Sequence, residues 1–255
     1  MIFTKLSRLL AILTFMALPL PTQIVAQNLQ KGIDAAERGD YIAALSELEP
    51  LADQGVVEAQ FNSALIYMHL FNFDKAEKLL RMADKLNHPD ASYFLGLIYR
   101  NGLNGDHDPK KAADWFFRSA MFDYPDAHYM LHIAYDQGMG ELEMDPEAAF
   151  MYAVSAAMLG HADAQYKLGL LYGTGETVEQ DLILAHMWLE IAAFSDTFGL
   201  VSDIRQSELS ISTKDNVKIV LDSLVENLTL QQVLEAKSKA RKCFASSYSE
   251  CNSQH

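Results

Sequence analysis

Between Ala59 and Ala192 the apolar positions fall at helical spacing, stop at a glycine or proline, and then start again in the same order. From Asp90, residues Leu95, Gly96 and Tyr99 share one helical face, and Gly102 closes the helix. A loop runs to Asp108-Pro109, an N-cap acid followed by proline in the first helical position. A second helix then carries Ala112, Trp115, Phe116 and Ala120 on its apolar side. The next stretch repeats the order with Leu131, Tyr135, Gly138, Asp145-Pro146, Ala149, Tyr152 and Ala156. A further one gives Leu168, Gly169, Tyr172, Gly175, Asp181, Ala185, Trp188 and Ala192. His88-Pro89-Asp90, Tyr124-Pro125-Asp126 and Gly160-His161 mark the turns between these hairpins.

Ala59, Ala91, Ala127 and Ala164 set the register, at spacings of 32, 36 and 37 residues. Each follows an acid (Glu58, Asp90, Asp126, Asp163). Each precedes an aromatic by two residues (Phe61, Tyr93, Tyr129, Tyr166) and a tyrosine by eight (Tyr67, Tyr99, Tyr135, Tyr172). A period in this range predicts stacked helical hairpins, because a single hairpin cannot bury its own apolar face. The predicted fold is all-α: a right-handed α-solenoid of about four to five hairpins over residues 27–194. A helical segment, 195–255, closes its open end. Residues 195–212 fit worst, with breaks expected at Ser195-Asp196 and Ser210-Ile211-Ser212. Helices are expected to resume near Thr213–Asn227 and Leu230–Phe244, the latter opened by a Thr229-Leu230-Gln231-Gln232 capping box. Asn227-Leu228-Thr229 also matches a glycosylation acceptor, but we read Thr229 as the helix cap.

The spaced run Ala-x-Tyr-x-Leu-Gly-x-x-Tyr-x-x-Gly, a loop, and Asp-x-x-x-Ala-x-x-Trp resembles the Sel-one-like (SLR) repeat family, a longer-looped relative of the tetratricopeptide repeat. Gly39-Asp40-Tyr41, Ala43-Ala44-Leu45 and Pro50 to Gly55 resemble the opening hairpin of exported bacterial members. The likeness extends over residues 28–194. It implies a module that binds a protein or peptide along its surface. By analogy with tetratricopeptide solenoids, the row lining the groove would be Phe61, Tyr93, Tyr129 and Tyr166, then Leu65, Leu97, Ile133 and Leu170, then Met68, Arg100, Asp136 and Gly173. From these, Phe61, Tyr93, Arg100, Tyr129, Asp136 and Tyr166 are the candidate partner contacts. Packing between repeats is the competing account of the aromatic positions. Two departures stand out. The unit from Ala59 has Ser63 for leucine and Leu70 for the cap glycine. His132 takes a small-residue position and is expected to loosen or tilt its helix pair.

The amino terminus changes the picture of where the chain works. Lys5 and Arg8 precede an apolar run, Leu9 to Leu20, and Ala26 is a plausible cleavage residue. Residues 1–26 are expected to be a signal peptide, giving a periplasmic or secreted protein with no membrane span after cleavage. The alternative is a buried first helix. The formal charge is −14, and −16 without Lys5 and Arg8. That disfavours nucleic acid and anionic membrane surfaces and suits a basic or neutral partner. Cys243 and Cys251 are the only cysteines and are expected to form a disulfide in an oxidising compartment.

Candidate chemistry is sparse. His128 and His132 stand four apart, a spacing that can hold zinc, but no third ligand is evident. No nucleophile elbow or phosphate-cradling glycine loop occurs. The β-lactam binding described for cysteine-rich members of the family is not carried over, since the repeats here hold no cysteine pairs. The expectation is no catalytic residue, no metal and no cofactor. An envelope hydrolase and a purely structural envelope component are the alternatives to an adaptor.

Overall fold

The computed structural model describes residues 20–194 and 209–251, and the described residues form twelve α-helices and no strand. They divide into two compact units, up to His88 and from Pro89. Most of the expected signal, residues 1–19, lies outside the described residues.

The first unit holds α1 (Leu20–Glu37), α2 (Tyr41–Asp53), α3 (Val57–His69) and α4 (Phe73–Lys85). Each helix packs on the next, and α1 also reaches α3. Leu48, Leu51, Ala52, Ala59 and Ile66 form the centre of its core. The Asp40 side chain accepts the Ala43 amide and starts α2; Asn72 accepts the Lys75 amide and starts α4. The missing cap glycine at Leu70 has a structural consequence one residue later. Phe71 takes φ +57°, a left-handed conformation that costs a bulky residue and would cost glycine nothing.

The second unit holds α5 (Pro89–Asn101), α6 (Pro109–Ala120), α7 (Pro125–Gln137), α8 (Pro146–Met158), α9 (Ala162–Thr174), α10 (Leu182–Phe194), α11 (Leu209–Val225) and α12 (Leu230–Ala245). Through α10 each helix packs on its neighbour in sequence. The restart acids act as expected: Asp108 accepts the Lys111 amide at 3.0 Å, Asp145 the Ala148 amide at 3.0 Å, and Asp181 the Leu184 amide at 2.9 Å. Gly175 ends α9 in the left-handed region, at φ +72°.

Helices α11 and α12 cover the last hairpin: both pack on α10, and α11 also meets α9. Ala236, Ala240, Cys243 and Cys251 join one core with Trp188, Ile191 and Ala156. Thr229 and Gln232 form the expected capping box. The break expected at Ser210-Ile211-Ser212 does not occur, because these residues lie inside α11; the other, at Ser195-Asp196, lies outside the described residues.

Candidate functional site

The hairpins share one internal joint. Five residues after the register alanine, a small residue on the first helix faces the second. A Cβ on Gly96 would sit 2.5 Å from the Phe116 ring, and one on Gly169 2.5 Å from Leu189 Cγ. Gly32 meets Leu48 in the same way, which places α1 and α2 in the repeat register, one hairpin earlier than the alanine pattern reveals. His132 reverses the arrangement. It is buried, at 3% exposure, and the register position that holds Phe116 or Leu189 in the other hairpins holds Ala153 here, also buried. Its Nδ1 donates to the Ala149 carbonyl at 3.0 Å. The expected loosening of this pair is therefore not found: the volume lost on one helix is filled from the other.

The aromatic row is framework. Three of the rings pack on the residue that precedes the next hairpin: Phe61 stacks on His88 at 4.1 Å and Tyr129 on His161 at 4.3 Å, while Tyr93 meets Tyr124 at a tilt, 5.1 Å between centroids. His161 does more. Its Nδ1 accepts the Ala164 amide at 3.2 Å, capping α9, while its Nε2 lies 3.2 Å from Asp126 Oδ1. Tyr129 is held between His161 and His132, and burial pushes its phenol well above the usual range. Tyr166 packs against the core formed by Leu189 and Ala192 of α10 and Val217 of α11. Tyr93 is 1% exposed and Phe61 9%, so neither offers surface to a partner.

Farther along the same first helices the row opens. Leu97, Ile133 and Leu170 are half-buried, as are Met130 and Lys167, and Asp136 is exposed. Polar contacts tie neighbouring first helices across this face. Arg100 Nη1 donates to Met130 Sδ at 3.2 Å, and Lys167 Nζ lies 3.6 Å from Asp136 Oδ2. Of the six candidate contacts, Arg100 and Asp136 belong to this open part; Phe61, Tyr93 and Tyr129 belong to the joints between hairpins, and Tyr166 packs on the core of Leu189, Ala192 and Val217. The ring partners His88, Tyr124 and His161 escaped the sequence reading. They share a position three residues before the register alanine, and that common offset is the signal that could have found them.

In the first unit, Tyr67 donates to Glu49 and accepts from Lys75 Nζ at 2.9 Å, beside a cavity of about 310 Å³ that Lys78 and Met82 also line. Burial, then the bond to Glu49, raises the Tyr67 phenol above its usual range. His128 and His132 do not converge on a common point: His132 bonds Ala149, and His128 lies 6.0 Å from the Tyr152 ring. Burial lowers the pKa of both rings. Among the described residues no group of three His, Cys, Asp or Glu side chains is placed to hold a metal ion, and no helix is long and apolar enough to cross a membrane. Cys243 and Cys251 form the disulfide, both buried against α10 and α12.

The Sel1 repeat family model matches residues 89–121, 125–161 and 162–193, so the chain carries three Sel1 repeats. The matches cover the three long-looped hairpins and begin after the shorter unit at Ala59. An alginate biosynthesis protein, AlgK, of Azotobacter vinelandii is 31% identical over 127 residues, 50% of this chain and 26% of that protein. Chitin synthase regulatory factor 2 of Schizosaccharomyces pombe is 27% identical over 115 residues, 44% of this chain and 22% of that protein. The chain thus spans about a quarter of the length of these relatives. Among solved structures, a Sel1 repeat protein from Oxalobacter formigenes superposes with a TM-score of 0.61 at 26% identity, over 72% of this chain and 78% of that one. A protective antigen of uropathogenic Escherichia coli with an SLR fold superposes at 0.64 with 20% identity, over 91% of this chain and 48% of that one.

Proposed function

We propose that this chain, a Sel1-repeat protein, is an exported interaction module that holds a protein or peptide on the open row of its first helices and serves as an adaptor or regulator in the cell envelope. One observation carries the reading. Leu97, Ile133 and Leu170 recur at one register position and stay half-exposed, while Arg100, Asp136 and Lys167 stand beside them. An apolar stripe with charged neighbours is the layout of a surface that buries a few anchors and selects through its rim. The stacked rings beneath keep the stripe rigid, which lowers the ordering cost of binding. The net charge of −14 favours a basic partner.

Two relatives support the class. One carries the name of an alginate biosynthesis protein and the other that of a regulatory factor for chitin synthase, so regulation of an envelope polysaccharide system is the setting this reading favours. Export is supported by the Lys5, Arg8 and Leu9 to Leu20 pattern and by the disulfide. The test is crosslinking in intact cells followed by purification, comparing the wild type with Leu97→Glu/Ile133→Glu/Leu170→Glu. Loss of a specific crosslinked partner, with thermal unfolding unchanged, is the expected result. The same partners recovered from both proteins would refute the assignment. Mass measurement of the purified protein, expected to begin at Gln27, tests export separately.

A further inference from the structure

The closing segment carries a surface that the repeats do not account for. Between α10 and α12 lies a groove of about 580 Å³, floored by Ile191, Phe194, Ala240 and Phe244. Phe194 is 69% exposed and Phe244 52%, although a phenylalanine at the end of a helix has no need to face water. The outward face of α12 continues the groove. Leu230, Leu234, Lys237, Arg241 and Phe244 follow one another at steps of four and three residues, the spacing of a seam that receives another helix. Leu230 is 76% exposed and Leu234 56%. Among the described residues, nothing covers this seam.

Charge says what fits. The chain is strongly acidic, yet α12 sets Lys237, Lys239, Arg241 and Lys242 against Glu235 alone. Lys239 is paired with Glu235 at 3.3 Å and Lys237 with Glu190 at 3.4 Å. Arg241 is different. Its Nε donates to the Lys237 carbonyl at 3.3 Å, and its exposed guanidinium meets no carboxylate among the described residues. An apolar trough edged by an unneutralised guanidinium is complementary to an amphipathic helix that bears carboxylates along its apolar edge.

We infer that the α10–α12 groove is a second docking site, and that it takes an acidic amphipathic helix of a partner protein. It lies on other elements than the first-helix row, α10 and α12 rather than α5, α7 and α9, so either site can fail without the other. It gives the closing segment a role besides covering the last hairpin.

The probe is a fluorescent eighteen-residue helical peptide with leucines at i, i+3, i+4 and i+7 and glutamates beside them, titrated by anisotropy against the full chain. Binding should weaken at least tenfold on Arg241→Glu and on Phe244→Asp, both surface changes, and stay unchanged on Leu97→Glu/Ile133→Glu/Leu170→Glu. The same peptide with lysines for glutamates should bind the wild type at least tenfold more weakly and recover on Arg241→Glu. Circular dichroism melts establish that each variant is folded. Equal affinity for the acidic and basic peptides, or insensitivity to both groove variants, would overturn the inference. So would sedimentation showing that the chain dimerises through this face, intramolecular crosslinks placing residues 195–208 in the groove, or binding to anionic vesicles in preference to the peptide.

Discussion

Gly96→Ala ought to destabilise the protein, and the same change ought to stabilise it once Phe116 is alanine. Two opposing effects set the sign. Replacing a helical glycine by alanine gains about 1 kcal/mol of backbone propensity. In the wild type, however, the new methyl would stand 2.5 Å from Phe116 Cε1 and 2.6 Å from Cδ1, well inside contact distance. The ring is fully buried, so it has nowhere to swing. Overpacking of this kind costs about 1–3 kcal/mol, so the net effect is a loss of up to about 2 kcal/mol. Phe116→Ala alone should cost about 3–5 kcal/mol through lost burial and the cavity left behind. With the ring gone the clash is gone, and Gly96→Ala then returns its propensity gain of about 1 kcal/mol.

The assay is urea unfolding of the four proteins in this double-mutant cycle. Tryptophan emission is a suitable probe, because the only two tryptophans, Trp115 and Trp188, both lie in the unit that contains the joint. The expected coupling is about 1–3 kcal/mol, with a change of sign for Gly96→Ala between the two backgrounds. If Gly96→Ala has the same sign and size in both, the joint is not what places glycine there, and the explanation given for His132 and Ala153 falls with it.

Other outcomes follow from the same structure. Cys243→Ser should lower stability by about 2.5 kcal/mol, since the bridge closes a short loop with a separation of 8 residues, and reductant should lower the wild-type melting temperature to match the variant. His128, His132 and His186 are all held below the ordinary imidazole range, chiefly by burial, so each is kept neutral in the folded state. Their contribution is then complete above the unfolded pKa of about 6.5 and is lost as pH falls toward the depressed folded values; His186→Gln should flatten the acid limb of a melting-temperature profile, and an unchanged limb would exclude this ring. Gln165 donates to the Ala157 carbonyl at 3.2 Å, as Gln60 does to Ala52 at 3.1 Å, and the Gly160 amide bonds the same Ala157 carbonyl, so Gln165→Met should cost no more than about 0.5–1.5 kcal/mol, the worth of one hydrogen bond, as read by urea unfolding.

The repeat was legible because its physics is local. Capping acids, N1 prolines and turn glycines act within a few residues, and they recur at a fixed offset from Ala91, Ala127 and Ala164. What was hidden depends on pairs that lie far apart in sequence. The Gly32–Leu48 contact is 16 residues long in sequence and belongs to a hairpin without the register alanine pattern, so α1 read only as the start of an opening hairpin. His132 looked like a misfit until Ala153, 21 residues on, supplied the space. The rings at Phe61, Tyr93 and Tyr129 fitted a groove and a packing account equally in sequence, because their partners sit across a turn, where proline and glycine draw attention to chain direction and not to ring contacts. Tyr166 lacks such a partner in sequence, and the core of Leu189, Ala192 and Val217 takes its ring instead.

This division between frame and surface sharpens what a binding residue can be in such a chain. Two residues past the register alanine, the ring is committed to the next hairpin; five past it, residue size is committed to the second helix. Neither position is free to answer a partner. Six past it, the residue is aliphatic in each hairpin from Pro89 on, Leu97, Ile133 and Leu170, although solvent reaches each one. Nine past it, the identity changes every time: Arg100, Asp136 and Gly173. A uniform apolar position beside a varied one is what a docking face needs, since the first provides adhesion common to any partner and the second discriminates among partners. Exchanging Arg100 and Asp136 would keep composition and net charge, and leave the frame untouched, while reversing the order of charge along the row. Affinity for the partner should fall while stability stays within about 0.5 kcal/mol, because both side chains reach solvent.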